Sequence, residues 1–128
     1  MLARRGAGRF SSMKQPLANR TKVFALQIIN FLAVLPRNRI TDVLGRQLLK
    51  SGTSIGANYR EAARAESHDD FIHKIGICAK ESAETQYWLE LFLEGKLVNA
   101  DKCEVLRQEA SELLAIFVAS GRTAKNSR

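Results

Sequence analysis

The sequence has few cysteine, histidine, proline and aromatic residues, and its 128 residues contain no long apolar run. The two cysteines, Cys78 and Cys103, form neither a CxxC pair nor a Cys/His cluster. A disulfide framework and a structural zinc site are therefore not expected. No stretch approaches the roughly 20 apolar residues of a transmembrane helix, so we expect a soluble protein in the reducing cytoplasm. The length suits one domain with its own hydrophobic core.

Histidine and cysteine, which build many catalytic and metal centres, occur only twice each. A di-iron bundle needs two Glu-x-x-His pairs and two further glutamates. The only histidines are His68 and His73, and Asp70-x-x-His73 is a single partial match, so both histidines are interpreted as surface or partly buried residues. The two cysteines fall on apolar stripes and are interpreted as small core residues. With no triad and no phosphate-binding glycine loop, the sequence predicts no enzyme, no metal and no cofactor.

The formal net charge of +7 is unevenly distributed along the chain. Residues 1–22 hold six basic residues and no acid, residues 122–128 hold three basic residues and no acid, and residues 23–121 have a net charge of −2. The basicity therefore belongs to the ends, which we expect to be disordered tails over residues 1–16 and 122–128. Met13 is an alternative start of translation, so the first twelve residues are either part of that tail or not translated.

The predicted domain, residues 17–121, is itself polarised. Residues 37–64 hold six basic residues and two acids, and residues 66–112 hold five basic residues and eleven acids. A positive and a negative surface would suit an anion or the head-to-tail association of subunits. Ordinary scatter of charge on a solvated surface is the simpler alternative.

Apolar residues recur at three- and four-residue steps in four segments, and no segment alternates in the manner of a strand. Pro36 ends the first predicted helix, and Gly121 ends the fourth. Thr41 and Ser67 are the expected N-caps of the second and third helices, and Gly95 is the expected C-cap of the third. Four long helices with short connections favour an all-α, antiparallel up-down four-helix bundle, and wide apolar faces favour its assembly as a homo-oligomer. The predicted helices span about residues 19–35, 41–65, 68–95 and 99–121.

The second predicted helix carries a stripe of small residues, Gly45, Gly52, Gly56 and Ala63. A glycine inside a helix costs about 1 kcal/mol relative to alanine, so three of them need a compensating reason. Close approach of a second helix would supply it, and a kink or break at residues 51–53 is the alternative. We expect a continuous helix.

Beside this stripe, Ser54, Asn58 and Glu61 share one helical face because they are three and four residues apart. Asparagine is unfavourable inside a helix. We therefore interpret the three residues as a hydrogen-bonded polar network that fixes the register of the bundle. A contact with a ligand or with RNA is the functional alternative.

The same segment carries a family resemblance. Residues 54–62, SIGANYREA, resemble the signature of the 23S rRNA intervening-sequence proteins, also called the four-helix bundle protein family. Many members have glycine after the glutamate, where this chain has Ala62, and that change favours an unbroken helix. The resemblance covers about residues 17–120. Further similarity lies in residues 70–72, 80–82, 84 and 87–91.

The resemblance implies a four-helix bundle that assembles as a ring-like homopentamer. It also implies a relation to the accessory variability proteins of diversity-generating retroelements, which bind nucleic acid and a reverse transcriptase through a basic pentamer surface. The molecular role of most family members is unsettled, so the resemblance implies the fold more strongly than the function.

Two functions of different classes follow from these observations. The first is a non-catalytic oligomer that binds RNA or DNA by neutralising phosphates with a repeated basic surface. The second is a protein-interaction scaffold or accessory protein, with no direct role for nucleic acid. Neither involves a membrane. The predicted nucleic-acid contacts are Arg37, Arg39, Arg46, Lys50, Arg60 and Arg64, to which the N-terminal segment would add Arg4, Arg5, Arg9, Lys14, Arg20 and Lys22.

Overall fold

The computed structural model describes residues 16–127, and this part of the chain forms four α-helices and no strand. The prediction of an all-α, four-helix protein is therefore confirmed. No described helix combines the length and the apolar character that a membrane span requires. The helices are α1 (Leu17–Ala33), α2 (Arg39–Ala63), α3 (His68–Glu94) and α4 (Ala100–Asn126).

Side-chain caps determine where three of the helices begin. Asn38, Ser67 and Asn99 precede α2, α3 and α4, and each side chain accepts a hydrogen bond from a backbone N–H of the first turn at 2.9 to 3.0 Å. The prediction for Ser67 is confirmed. The prediction for Thr41 is wrong because Asn38 takes the capping position. Thr41 lies inside the helix, where its hydroxyl donates to the carbonyl oxygen of Pro36 at 2.9 Å.

The helix ends differ from the predicted ones by a few residues. Both α1 and α2 begin and end two residues earlier than predicted. The predicted end of α4 at Gly121 is wrong, since the helix continues to Asn126. Ala124 is buried, and its carbonyl oxygen lies 2.7 Å from His68 Nε2, so the start of α3 holds the last turns of α4 in place. Residues 122–126 of the predicted C-terminal tail, residues 122–128, are therefore helical. The tail predicted over residues 1–16 lies outside the described residues except for Pro16.

The helices enclose one core. α3 packs along α2 and along α4, whereas α1 packs mainly on α2 and touches α4 over a shorter stretch. Two aromatic pairs cross the core. Phe31 of α1 meets Phe92 of α3 edge to face, with ring centroids 5.9 Å apart, and Tyr59 of α2 meets Phe117 of α4 at 6.0 Å. These pairs join the helices that are not neighbours in sequence.

The glycines of α2 mark its closest approach to α1. A Cβ atom at Gly52 would lie 3.1 Å from Ile28 Cγ1, and one at Gly56 would lie 3.1 Å from Thr21 Oγ1. Both partners on α1 are fully buried. α2 runs unbroken through residues 51–53, so the prediction of a continuous helix with a glycine contact is confirmed, and the alternative of a break is excluded.

Candidate nucleic-acid interface

Five of the six predicted contact residues lie on one side of α2. At about 100° per residue, their positions fall within roughly 80° of the helix circumference and extend over about 38 Å of its axis. This side lies opposite the buried residues Leu48 and Ile55, and all five side chains are exposed. We call it the basic face. It comprises Arg39, Arg46, Lys50, Arg60 and Arg64.

The sixth predicted residue, Arg37, lies in the connection before α2 and not on the basic face. Its guanidinium donates from Nε to Asp42 Oδ1 at 2.9 Å and from Nη2 to Asp42 Oδ2 at 3.4 Å. This pairing raises the pKa of Arg37 above its ordinary value. Arg37 is therefore engaged with a neighbouring acid, although its side chain is 87% exposed.

The acids near the basic face have partners of their own. Asp42 pairs with Arg37, and Glu61 accepts a hydrogen bond from Lys74 Nζ of α3 at 2.7 Å. The Lys74 ammonium lowers the pKa of Glu61.

Within residues 16–127, none of the five cations of the basic face takes part in an ion pair. Burial raises the pKa of Glu81 on α3, and the charges of Lys80 and Lys50 oppose that shift. Lys50 is therefore partly engaged with this acid, and the positive charge of the other four cations is available to an external anion.

Arg20 is a correction to the predicted set of nucleic-acid contacts. The sequence grouped it with the basic N-terminal segment, but it lies in α1 and is buried. Its guanidinium donates to both oxygens of Glu109 at 2.7 Å and to Glu112 Oε1 at 2.9 Å. These carboxylates raise the pKa of Arg20, with the hydrogen bond to Glu109 as the largest cause. Arg20 therefore joins α1 to α4 and cannot also hold a phosphate.

Of the other cations in the predicted N-terminal set, the structure describes one. Lys22 is exposed on α1. Arg4, Arg5, Arg9 and Lys14 lie outside the described residues.

The predicted polar network takes a different form in the structure. Ser54 donates to the carbonyl oxygen of Lys50 at 2.6 Å, and Asn58 Nδ2 donates to the carbonyl oxygen of Ser54 at 2.8 Å. Glu61 pairs with Lys74. The three side chains share a face as predicted, but each bonds separately, two to their own helix and one to α3. The prediction of a network among the three side chains is therefore wrong: within the described chain, Ser54 and Asn58 bond to α2 itself, and Glu61 joins α2 to α3.

A buried polar contact that the sequence reasoning missed lies between α2 and α3. Thr85 Oγ1 lies 2.9 Å from Ser51 Oγ and 2.7 Å from the carbonyl oxygen of Glu81, and both hydroxyl residues are buried. The signal was present in the spacing. Ser51 falls between Leu48 and Ile55 on the core stripe of α2, so a hydroxyl there had to find a partner inside the bundle.

The cysteines are core residues, as predicted. Both are buried, and their thiols lie near the carbonyl oxygens of Ile55 and Leu89. Burial raises the pKa of Cys78 to about 12 and that of Cys103 to about 11. Both thiols are therefore protonated at neutral pH, a state that does not favour nucleophilic chemistry.

The histidines are both exposed. His68 lies at the first position of α3, and its ring contacts the end of α4. Within residues 16–127, no group of three or more His, Cys, Asp or Glu side chains is placed to hold a metal ion.

A second surface feature is an apolar groove of about 600 Å³ between the C-terminal half of α1 and the N-terminal half of α4. Phe31 and Leu106 form its floor. Val34 and Val105 stand at its edges, 75% and 65% exposed. Its lining also includes four polar or charged residues, Gln27, Asn30, Asp101 and Lys102. α1 leaves three further apolar side chains exposed, Val23, Leu26 and Ile29.

Comparison with known proteins identifies the family. The chain matches the family model of the 23S rRNA-intervening sequence protein over residues 14–119. The chain belongs to this family. A solved structure from Bacteroides thetaiotaomicron, described as a protein with unknown function from the S23 ribosomal protein family, is similar to this chain at 36% sequence identity and a TM-score of 0.75. That similarity covers 81% of this chain and 96% of the other. No curated protein matches the chain.

Membership of the 23S rRNA-intervening sequence protein family gives residues 54–62 a physical interpretation. Ile55 enters the core, Gly56 meets Thr21 of α1, and Glu61 pairs with Lys74 of α3. The segment thus contacts both neighbours of α2 within one and a half turns or so. In this member of the family, these three signature residues connect α2 to its neighbours, while Arg60 of the same segment belongs to the basic face.

Proposed function

We propose that this protein is a non-catalytic bundle that binds RNA or DNA through the basic face of α2. The observation that carries the proposal is the set of five exposed cations on one side of a single helix, without an ion pair among the described residues. Free energy for binding would come from release of the counterions that surround the phosphates. Such contacts position a protein on a nucleic acid with little reading of sequence.

Self-assembly would strengthen this binding. The family resemblance supports assembly as a homopentamer. Contacts such as that of His68, at the start of α3, with Ala124, near the end of α4, support an antiparallel arrangement of the helices within each bundle. The exposed apolar side chains of α1 suit an interface between copies. Five copies would repeat the basic face, and simultaneous contacts would raise a weak affinity. The resemblance to accessory variability proteins supports the same interpretation. We place this activity in the cytoplasm.

Reversal of charge on the basic face tests the proposal. The variant R46E/K50E/R60E/R64E removes four of its cations, and the matched control K80E/K102E/R122E/K125E changes the net charge equally at exposed positions on α3 and α4. Fluorescence anisotropy with a structured RNA, measured over a salt series, reports affinity and its salt dependence. We expect tight binding with a steep negative salt slope, lost in the first variant and largely kept in the control.

Two results would contradict the proposal. Equal loss in both variants would show that net charge, and not the basic face, drives binding. Unchanged binding in the first variant would place the site elsewhere. Circular dichroism and light scattering on the same samples separate loss of binding from loss of helix or of assembly.

A protein-interaction scaffold is the second candidate function, and the apolar groove between α1 and α4 favours it. Val34 and Val105 are large apolar side chains whose exposure costs free energy unless something covers them. Salt separates the two functions, since phosphate contacts weaken steeply as salt rises and an apolar interface does not. Binding of a partner that persists at high salt and is lost in V34D/V105D would favour the scaffold.

A further inference from the structure

The cations of the basic face fall into two groups. Arg39, Arg46 and Lys50 lie on the N-terminal half of α2, and Arg60 and Arg64 lie at its C-terminal end. Lys50 and Arg60 are ten residues apart in the sequence, which is about 15 Å along the helix axis. This separation is larger than the roughly 12 Å width of the major groove of B-form DNA. Two groups of cations spaced in this way can reach phosphates on both sides of this groove in DNA, or on both sides of the wide, shallow minor groove in an RNA duplex.

The surface between the two groups offers little that could recognise a base. Thr53 and Ala57 are the residues of this interval that point in the same direction as the cations, judged by the helical repeat. The hydroxyl of Thr53 donates to the carbonyl oxygen of Leu49 at 2.7 Å, within its own helix. Ala57 is exposed and carries a single methyl group. The side chains that this interval presents are therefore short, and the single hydroxyl proton among them is already donated to a backbone carbonyl.

Among residues 16–127, no aromatic side chain lies on the basic face. The single aromatic residue of α2 is Tyr59, and its ring packs against Phe117 in the core. Tyr87 and Trp88 contact each other on α3, where the Trp88 indole donates to Glu84 at 3.3 Å. Proteins that bind single strands combine a basic groove with aromatic rings on which bases stack. The basic face has the charge of such a site without the stacking surface.

We infer that the ligand of the basic face is a double-stranded nucleic acid, bound across one groove through the phosphates of both strands and without preference for sequence. The inference rests on the proposed function and adds the class of nucleic acid. A duplex presents phosphates in two rows and keeps its bases stacked, so it needs cations in two groups and no aromatic rings. An unpaired strand presents one row of phosphates, and its bases would gain no aromatic ring to stack on here, only the guanidinium planes of the arginines.

A comparison of paired and unpaired probes tests the inference. The probes are an RNA duplex of about 20 base pairs, which exceeds the length of the basic face, the DNA duplex of the same sequence, and the separate strands chosen to lack self-pairing. Binding of the full chain is measured by anisotropy at one salt concentration. We expect both duplexes to bind about tenfold more tightly than either single strand, and a duplex of shuffled sequence to bind equally well.

A substitution in the middle of the basic face gives an independent test. Ala57→Tyr places an aromatic ring between the two groups of cations, and Ala57→Leu is the matched control without one. Since stacking of one base on an aromatic ring is worth ~1 kcal/mol or more, we expect Ala57→Tyr to raise affinity for the single strands by about fivefold. Ala57→Leu should not. An equal effect of both, or no effect of Tyr, would overturn the stacking argument.

The two proposals fail in different ways. Binding of single strands as tightly as duplexes, with both lost in R46E/K50E/R60E/R64E, would overturn the inference and leave the basic face as the site. Binding of no probe, or binding that survives this charge reversal, would overturn the proposed function itself.

Discussion

Two sets of basic residues in this chain differ in what surrounds them. Arg20 is buried on α1 between Glu109 and Glu112 of α4, and its charge is used inside the molecule. The cations of the basic face stand in solvent on α2, without an ion pair in the described part of the chain. Arg20 and four of the five residues of the basic face are arginines, so residue type alone does not separate the two locations. A count of basic residues therefore does not measure the charge available to a nucleic acid.

Substitutions at the two locations should have different effects. Changes on the inner side, where α1 meets α2 and α4, should lower the free energy of unfolding. Changes on the basic face should leave that free energy nearly unchanged and alter binding alone.

The largest loss of stability is expected for Arg20→Ala. The substitution leaves Glu109, whose side chain is 22% exposed, without its bidentate partner. Removing one member of a buried ion pair costs 3–5 kcal/mol or so, and the half-exposed Glu112 reduces that cost here. We expect a loss of about 2 to 3 kcal/mol in urea denaturation. Lys22→Ala, at an exposed position two residues away, is the control and should cost about 0.5 kcal/mol or less.

Arg20→Lys sharpens the result because it keeps the charge and loses the two parallel hydrogen bonds. It should fall between Arg20→Ala and the wild-type chain. Equal stability of all three would mean that the contact between α1 and α4 does not depend on this ion pair.

A smaller loss is expected for Gly56→Ala. The new methyl group would lie 3.1 Å from Thr21 Oγ1, so α1 and α2 would have to move apart. Overpacking costs about 1 to 3 kcal/mol, and the helix propensity of alanine returns up to ~1 kcal/mol. We expect a net loss of about 1 kcal/mol in chemical denaturation.

Gly76→Ala is the matched control for Gly56→Ala. Gly76 lies inside α3, and a Cβ atom there would have no neighbour within 4 Å among the described residues. This variant should gain stability by up to ~1 kcal/mol. Losses of the same size in both variants would show that glycine in this chain is selected by something other than contact between helices.

Features set by local spacing could be predicted from the sequence, and contacts between distant residues could not. Helix number, the unbroken α2 and its glycine contact follow from local spacing, because the helical period places residues on faces. The face on which Arg39, Arg46 and Lys50 lie follows from the same period. The partners of Arg20 could not be predicted, since they lie 89 and 92 residues away in the sequence. The end of α4 was missed for a similar reason, because contact with His68 of α3 decides it.

Thr85→Val tests the buried contact between α2 and α3. The hydroxyl that bonds to Ser51 is replaced by a methyl group of similar size, and Ser51 keeps a hydrogen bond to the carbonyl oxygen of Leu48 at 3.4 Å. A single buried hydrogen bond contributes about 1 kcal/mol. We expect a loss of that size, and the double variant S51A/T85V should lose less than the sum of the two single variants because the bond is counted once. Full additivity would show that the two hydroxyls do not interact.

The smallest effect on stability is expected for substitutions on the basic face, in contrast to substitutions of the buried Arg20. Arg46→Gln and Arg60→Gln remove cations that are exposed and unpaired within the described chain. Each should change the free energy of unfolding by about 0.5 kcal/mol or less. In the same samples, each should weaken binding of an RNA duplex and reduce the steepness of its salt dependence by about 1 in the logarithmic slope. A loss of stability comparable to that of Arg20→Ala would mean that these arginines serve the fold, and the distinction between an inner and an outer set of cations would not hold.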